Sequence, residues 1–399
     1  MPERRLLLAS VVCGRPQKNG RFGRRCLDKM RVPLVDLARE NEALTGQIRE
    51  VFDQVLSSGT YVLGPRLREF EKTIAEFHGV AYAVGVNSCT DALFLALRSL
   101  GIHHGDEVLV PATTFVATAN AVVFCGATPV FVEVEEDTLN LDPRRLEAAI
   151  TPATKAILVV HFHGHPADMD EILRIAEANH LSVVEDCAQA FGATYRSHRV
   201  GGLGTLGCLS FYPTKHLGGV GDGGMILTND EEAFRAVHSL RNYGETDRYV
   251  YGEIGFNSRL DELQAGILAV KLQHVVEATQ RRRLLAHRYN ELLAELPVDL
   301  PCEKDYAGHA FWVYTIRLSS RIERERAQRH LEGCGIGTHI FYPICVPDQK
   351  PYRGSRNEAD PFSISRDAAN RMLAIPLFPR MTEEEQDHVV TCLGEALNS

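Results

Sequence analysis

Long apolar segments are missing from this sequence: no run approaches the ~18–20 residues needed to cross a bilayer, which excludes a membrane-spanning class. None of the ten cysteines lies in a C-x-x-C pair, which argues against zinc-ribbon and iron–sulfur sites. Their irregular spacing, in a chain too long to need a disulfide scaffold, predicts a reducing cytoplasmic compartment. The phosphate-binding pattern G-x-x-x-x-G-K-[ST] is missing as well.

An excess of positive charge is also lacking. The chain carries 43 Lys and Arg against 52 Asp and Glu, a net charge of -9, which does not attract nucleic acid. The first thirty residues are the exception, with eight basic and two acidic residues. We interpret residues 1–29 as a disordered basic extension, or as an overlong start before a chain that begins at Met30. A DNA-binding role would have to use this segment.

Short β-branched runs alternate with helical segments over the first two thirds of the chain. The strand-like runs are 81–87, 107–110, 128–134, 155–161 and 181–185, and the helical segments are 90–100, 116–125, 168–180 and 231–241. This alternation predicts an α/β fold in which helices flank a mainly parallel central sheet. Ligands of such sheets lie outside the carboxyl ends of the strands.

The pattern changes after a long helix predicted over 261–276, with an arginine cluster just beyond its apolar part. An alternating strand is predicted over 311–318, and amphipathic helices over 321–333 and 382–397. A chain of 399 residues is long enough for two domains. We therefore predict a large domain over 30–275 and a smaller α+β domain over 276–399.

Two strand ends carry residues suited to an anionic or heterocyclic ligand. Ser88, Cys89 and Thr90 join a strand to a helix, where unpaired N–H groups and small hydroxyls make an anion site, although the same residues cap helices without a ligand. Glu185 and Asp186 end an apolar strand. A buried Asp there can hold a proton on a heterocyclic nitrogen; metal binding and helix capping are the alternatives.

A single lysine, Lys215, lies in a stretch rich in Gly, Pro and hydroxyl residues over 209–224. Lysines usually occupy solvated faces, so one in a weakly charged, glycine-rich loop is a candidate Schiff-base amine. Phosphate binding by the loop is the alternative.

Three histidines, His161, His163 and His165, alternate along a predicted strand and resemble a metal site. Gly164 and Pro166 break the strand before the third imidazole can align, and a fourth ligand is not evident. We expect these histidines to be hydrogen-bonded residues that line a pocket rather than zinc ligands.

Together, these segments resemble the DegT/DnrJ/EryC1/StrS family of pyridoxal-phosphate-dependent sugar aminotransferases, a branch of the fold-type I aminotransferases. The similarity covers roughly residues 31–390. It is carried, in order, by residues 61–65, 88–93, 105–108, 111–120, 166–170, 185–189, 210–215, 221–224 and 257–261. The resemblance implies that 30–275 is the domain that binds pyridoxal 5'-phosphate.

The resemblance also implies roles for individual residues. Lys215 matches the Schiff-base lysine, which also moves the proton between substrate and cofactor. Asp186 would pair with the pyridinium nitrogen, so that the ring acts as an electron sink. Gln189 would bind the ring hydroxyl, and Phe115 would stack on the ring face.

The remaining matches concern the cofactor phosphate and the sugar. Ser88, Cys89, Thr90 and Ser210 match the phosphate cradle, although the family usually has glycine at the position of Cys89. Asn257 matches a residue that reaches the phosphate of the neighbouring subunit, which implies a homodimer with shared active sites.

The sugar pocket departs from the family pattern, because Phe341 and Pro347 replace its usual histidines. Tyr342 and His163 remain the candidate substrate contacts.

The implied function is transfer of an amino group from an amino acid, L-glutamate, to a keto group of a nucleotide-linked sugar. Residues 241–244 and 257–261 resemble members that act at C3 of 3-keto-6-deoxyhexoses. A cofactor-dependent sugar dehydratase is the enzymatic alternative, although there a histidine replaces the lysine. A non-catalytic regulator on the same scaffold is the alternative from another class.

Overall fold

The computed structural model describes residues 30–353 and 362–398, so the predicted extension over 1–29 lies outside the described residues. The α-helices are α1 (Leu37–Glu42), α2 (Thr45–Ser58), α3 (Pro65–His78), α4 (Cys89–Ser99), α5 (Val116–Phe124), α6 (Leu146–Ala149), α7 (Met169–Ala178), α8 (Glu231–Leu240), α9 (Glu262–Leu272), α10 (Val275–Leu293), α11 (Arg321–Gly333), α12 (Ser363–Arg371) and α13 (Glu383–Asn398). The strands are β1 (Tyr82–Val86), β2 (Glu107–Pro111), β3 (Thr128–Val132), β4 (Thr154–Val160), β5 (Ser182–Asp186), β6 (Thr194–Tyr195), β7 (His198–Arg199), β8 (Leu206–Ser210), β9 (Gly224–Thr228), β10 (Glu245–Asp247), β11 (Val250–Tyr251), β12 (Ala307–Gly308), β13 (Tyr314–Arg317) and β14 (Met372–Ile375).

Seven of the described strands form one sheet in the order β1-β9-β8-β5-β4-β2-β3. The pairs from β8 through β5, β4 and β2 to β3 are parallel, whereas β9 runs antiparallel to both of its neighbours. The predicted mainly parallel α/β sheet is therefore confirmed. Because β5 and β8 run in the same direction, Asp186 and Ser210 end at the same edge of the sheet, where ligands of such folds bind.

Helices cover both faces of this sheet. One apolar core joins it to α3, α7 and α9, and a second joins it to α4, α5 and α8. A third core is formed by α10, α11, α13, β13 and β14, together with Val32 from the start of the described chain. The predicted division at 275/276 stays a prediction. No described helix is both long and apolar enough to span a membrane.

The predicted helix over 261–276 is two helices, α9 and α10, and the arginine cluster lies inside the second. Arg282 is buried and donates to the Leu377 carbonyl over 2.9 Å. Its guanidinium thus stabilises the chain by satisfying a buried carbonyl. An arginine on the buried side of α10 breaks the apolar period by which amphipathic helices are recognised.

Candidate active site

Lys215 lies in the tight loop between β8 and β9. The Gly219 N–H donates to the Phe211 carbonyl over 2.8 Å, which closes the loop. A Cβ at position 218 would lie 2.2 Å from the Pro213 carbonyl oxygen. Since that contact is impossible, Gly218 is required for the loop to turn, and the backbone that carries Lys215 is fixed.

The amine of Lys215 lies in a weakly polar environment. Its Nζ is 3.7 Å from the centroid of the Trp312 ring, and the Trp312 indole N–H in turn donates to the Thr214 carbonyl over 3.0 Å. Burial lowers the pKa of Lys215 to about 8, while the nearby Asp186 carboxylate acts in the opposite direction. A substantial neutral fraction is therefore present near neutral pH, as an amine nucleophile requires.

Asp186 is a buried carboxylate at the end of β5, only 5% exposed. One carboxylate oxygen accepts a hydrogen bond from the Thr118 hydroxyl over 2.9 Å, and the other accepts from the Ala188 N–H over 3.1 Å. Burial raises the pKa of Asp186 above its usual value, and the hydrogen bonds and Lys215 oppose that shift only in part. A cationic group placed beside this carboxylate would stabilise its charge.

The neighbouring carboxylate, Glu185, has hydrogen-bond donors from the protein at both of its oxygens. Its oxygens accept hydrogen bonds from the backbone N–H groups of Gly201, Leu203 and Gly204 over 2.7–2.8 Å and contact His161 Nε2 at 3.0 Å. Although burial acts in the other direction, these donors hold the pKa of Glu185 below its usual value. Glu185 is therefore a structural anion that fixes the 201–204 turn.

The histidines of the 161–165 segment bind separate partners. His161 contacts Glu185, and the Nε2 of His165 accepts from the Lys304 N–H over 3.2 Å. The strand β4 ends at Val160, and His163 lies in a following 3₁₀ turn. The three imidazoles therefore do not share one strand face.

The predicted phosphate cradle at Ser88, Cys89 and Thr90 lies at the start of α4. Ser88 caps this helix and accepts from the Asp91 N–H over 3.1 Å. A Cβ at Gly224 would lie 2.4 Å from the Ser88 carbonyl carbon, so only glycine lets β9 approach the cradle. Ser210 is buried at the end of β8, and its Oγ lies 3.4 Å from the Tyr212 nitrogen. Helix N–H groups and the helix dipole favour an anion at this point.

Four residues that were predicted to contact the cofactor or the sugar also contact one another, namely Gln189, His163, Tyr342 and Phe115. Gln189 accepts from the His163 N–H over 2.7 Å and donates to the Tyr342 hydroxyl over 3.4 Å. Phe115 is half exposed, with its ring 5.6 Å from that of Tyr342. His163 Nε2 is buried without a hydrogen-bond partner among the described residues. Burial lowers the pKa of His163 to about 3, so its imidazole is neutral.

Asn257 is exposed on the segment that follows the β10–β11 hairpin. Its neighbour Ser258 is buried and accepts from the Asn87 N–H over 3.3 Å. The chain after Asn257 is therefore anchored beside the residue that precedes the cradle.

Two residues of the site were not predicted individually. Thr118 lies one helical turn after Phe115, within the 111–120 segment that carries part of the family resemblance, and its contact with Asp186 could have been sought there. Trp312, the only tryptophan, comes from a distant part of the sequence. Nothing in its local pattern connects it with Lys215.

Comparison with known proteins agrees with this geometry. Residues 42–394 match the model of the DegT/DnrJ/EryC1/StrS aminotransferase family. The chain belongs to this family. The family predicted from the sequence motifs is therefore confirmed, and so is the predicted α/β fold. The predicted class of enzyme, a pyridoxal-phosphate-dependent aminotransferase, is confirmed as well. The roles of individual residues stay predictions.

Within the DegT/DnrJ/EryC1/StrS family, several relatives are about equally similar. The chain is 41% identical, over 92% of its length and 98% of the relative, to a UDP-N-acetyl-3-dehydro-alpha-D-glucosamine 3-aminotransferase of Acidithiobacillus ferrooxidans. It is 40% identical, over the same shares of the two chains, to a pleiotropic regulatory protein of Geobacillus stearothermophilus. The crystal structure of S. venezuelae DesV with a ketimine intermediate superposes with a TM-score of 0.89, at 41% identity over 92% of this chain and 99% of DesV.

Proposed function

We propose that this protein transfers an amino group from L-glutamate to the keto group at C3 of a nucleotide-linked 3-keto-6-deoxyhexose, with pyridoxal phosphate as cofactor. The observation that carries the proposal is the proximity of three groups, since the Lys215 amine, the buried Asp186 carboxylate and Cys89 at the start of α4 interact electrostatically with one another. A catalyst of transamination needs a nucleophilic amine, an anion for the ring nitrogen and an anion site for the phosphate.

The residues present fit pyridoxal phosphate. Burial disfavours the ionised Asp186, and a protonated ring nitrogen would supply the missing cation. The cradle at Ser88 offers helix N–H groups to a phosphate. Gln189 and Phe115 both contact Tyr342, and Gln189 also accepts from the His163 N–H. The buried His163 Nε2 has no hydrogen-bond partner among the described residues.

When bound, the cofactor supplies an electron sink that eases removal of a proton from the amine-bearing carbon. The chain's own residues do the rest. Lys215 would hold the cofactor covalently through Nζ, and the same amine, when free, would carry the proton that leaves that carbon. Asp186 would hold the proton on the ring nitrogen. Gln189 would bind the ring hydroxyl, and its amide N–H donates to the Tyr342 hydroxyl.

The proposed position on the sugar rests on the relative that is named a 3-aminotransferase of a 3-dehydro sugar, together with the 241–244 and 257–261 segments. These two segments contact each other, because the Arg259 guanidinium donates to the Asn242 side-chain oxygen over 2.8 Å. His163 and Tyr342 are the proposed sugar contacts. A neutral imidazole can donate and accept, which suits a sugar hydroxyl.

The proposed function is tested by the visible spectrum of the purified protein with pyridoxal phosphate. We expect a visible band that L-glutamate bleaches, and that a dTDP- or UDP-linked 3-keto-6-deoxyhexose restores. Restoration only by UDP-N-acetyl-3-dehydroglucosamine would refute the 6-deoxy substrate. A band that ignores glutamate would favour another donor or dehydratase chemistry. A protein that stays colourless would favour the regulatory role named for the Geobacillus relative.

We also propose that the enzyme is a homodimer whose active sites are shared. The segment around the β10–β11 hairpin exposes large apolar side chains to water: Tyr249 is 74% and Ile254 is 88% exposed. Apolar groups grouped in this way mark an interaction surface, and Asn257 directly follows them. A second copy of the chain is the proposed occupant.

The shared site predicts an unusual result for mixed dimers. Asn257→Ala alone is expected to weaken cofactor binding about tenfold, because one charge-assisted hydrogen bond to phosphate is worth ~1.5–3 kcal/mol. In a heterodimer of Asn257→Ala with Lys215→Ala subunits, the single competent lysine faces an intact Asn257 of the other subunit. Cofactor titration followed by the visible band of the lysine-bound cofactor reports only the site with Lys215, and that site should have wild-type affinity. Weakened affinity there would show that Asn257 acts within its own chain.

The lowered pKa of Lys215 predicts how fast the apoprotein captures pyridoxal phosphate. Only the neutral amine attacks an aldehyde, so capture should accelerate with pH and level off above about 8. At pH 7, roughly a tenth of such amines are neutral, against about one in three thousand for an unperturbed lysine. Stopped-flow capture rates from about pH 6 to 10 measure this. A rate still rising at the upper limit would contradict the pKa.

A further inference from the structure

A group of metal-binding side chains lies where α11 packs against α13, outside the site described above. The Cys334 N–H donates to the His330 carbonyl over 3.0 Å, so these residues are one helical turn apart and share a face. Glu395 faces them from α13. A ring nitrogen of His330, the Cys334 sulfur and a Glu395 oxygen all lie within 4.8 Å of one another.

We propose that His330, Cys334 and Glu395 bind a zinc ion. Zinc holds histidine nitrogen and carboxylate oxygen at about 2.0–2.1 Å and thiolate sulfur at about 2.3 Å, so a tetrahedral angle places nitrogen and oxygen ~3.3 Å apart. His330 Nε2 lies 3.3 Å from Glu395 Oε2. The pair therefore already has the spacing of one edge of a zinc tetrahedron.

The donor set selects the metal. One imidazole, one thiol and one carboxylate suit zinc, whereas magnesium and calcium prefer oxygen ligands alone. His330 and Cys334 are half-buried and Glu395 is exposed, so an ion can enter from solvent, and water can take the fourth position. His388 lies alongside, with its Nε2 3.2 Å from the Cys334 carbonyl oxygen, and positions the end of α11.

The metal is expected to stabilise the packing of α11 on α13. The two helices share the third apolar core, through Leu331 on α11 and Leu393 on α13. A zinc ion would join them at the surface of that core. Because a ligand that binds only the folded state stabilises it, zinc should raise the thermal midpoint of unfolding.

The chain offers a matched control for nonspecific zinc binding by a histidine and a carboxylate. His287 Nε2 lies 3.2 Å from Glu303 Oε2, and the imidazole is half exposed. This pair has nearly the same spacing as His330 and Glu395, and no cysteine is part of its contact.

The test is calorimetric titration of the holoenzyme with zinc chloride, with zinc-edge X-ray absorption of the product. We expect one zinc per chain with sulfur at about 2.3 Å and a higher thermal midpoint. Cys334→Ser should weaken binding ~100-fold or more, since even losses around the ligands cost 10–100-fold. His287→Gln should change neither affinity nor transamination.

The proposal is overturned if the holoenzyme binds no zinc, or if Cys334→Ser binds it as tightly as wild type. A coordination shell of nitrogen and oxygen alone would also overturn it, leaving His330 and Glu395 as an ion pair. Should Cys334→Ser fail to fold, His330→Gln tests the same ligand set. Its loss of affinity must come with unchanged turnover, since α11 carries none of the proposed catalytic residues.

Discussion

Replacing Lys215 with Ala is expected to abolish transamination, with turnover lowered about 10⁴-fold or more. Positioned proton transfer alone contributes ~10²–10⁴-fold, and this variant also loses the covalent nucleophile. Pyridoxal phosphate should still bind, because Asp186 and the cradle at Ser88 remain. Single-turnover bleaching with glutamate and steady-state turnover measure the loss.

The control for Lys215→Ala is Lys155→Ala. Lys155 belongs to β4 of the same sheet but is exposed, and its Nζ contacts the Pro152 carbonyl at 3.5 Å. Its loss should leave turnover unchanged. Small primary amines should restore part of the rate of Lys215→Ala, since they replace the missing base. If Lys215→Ala retained even a tenth of the wild-type turnover, the proposed role of the lysine would be wrong.

The reliability of the sequence predictions followed how local each signal is. The helix predicted over 321–333 is α11 with the same ends, because Ser320 caps its start, and Ala327 and Leu331 lie one turn apart on its buried face. The direction of β9 was not predictable. Strand polarity depends on which strands become neighbours, and Gly224–Thr228 inserts between β1 and β8, which are far from each other in the sequence.

In the candidate site, too, features with local signals were predictable and features that depend on distant residues were not. The helix start at Ser88 was predicted from local signals, because a hydroxyl before a helical pattern is typical of a helix cap. The surroundings of Lys215 were not, since the Trp312 ring that lies 3.7 Å from its Nζ comes from a distant part of the sequence. Local residue types name the candidate groups, whereas long-range packing sets their chemistry.

The neighbouring carboxylates Glu185 and Asp186 show that residue type alone does not predict the role of a side chain. Both residues end β5, and both are carboxylates buried at the sheet edge. Glu185 accepts hydrogen bonds from three backbone N–H groups, whereas Asp186 accepts from one backbone N–H and one hydroxyl. The different numbers of donors separate a structural anion from one that can serve a ligand.

This difference predicts opposite outcomes for two conservative substitutions. Asp186→Asn should lower the rate of the glutamate half-reaction about 10²–10³-fold or more, the cost of removing one preorganised electrostatic contact from an active site. Its fold should persist. The new amide can still accept from the Ala188 N–H and can donate to Thr118, whose hydroxyl also has Thr114 as a partner at 2.8 Å. The thermal midpoint of the apoprotein should therefore hold or rise, since a buried charge is removed.

Glu185→Gln is the matched control and should show the reverse. Its amide NH₂ would face backbone N–H donors, so about 3–5 kcal/mol of stability should be lost, as when one member of a buried, hydrogen-bonded ion pair is removed. The protein that remains folded should retain most of its rate. Single-turnover bleaching and thermal unfolding of both variants separate the two effects. A near-wild-type rate in Asp186→Asn would remove Asp186 from the mechanism, because the positive charge on the ring would then have to be held by another group.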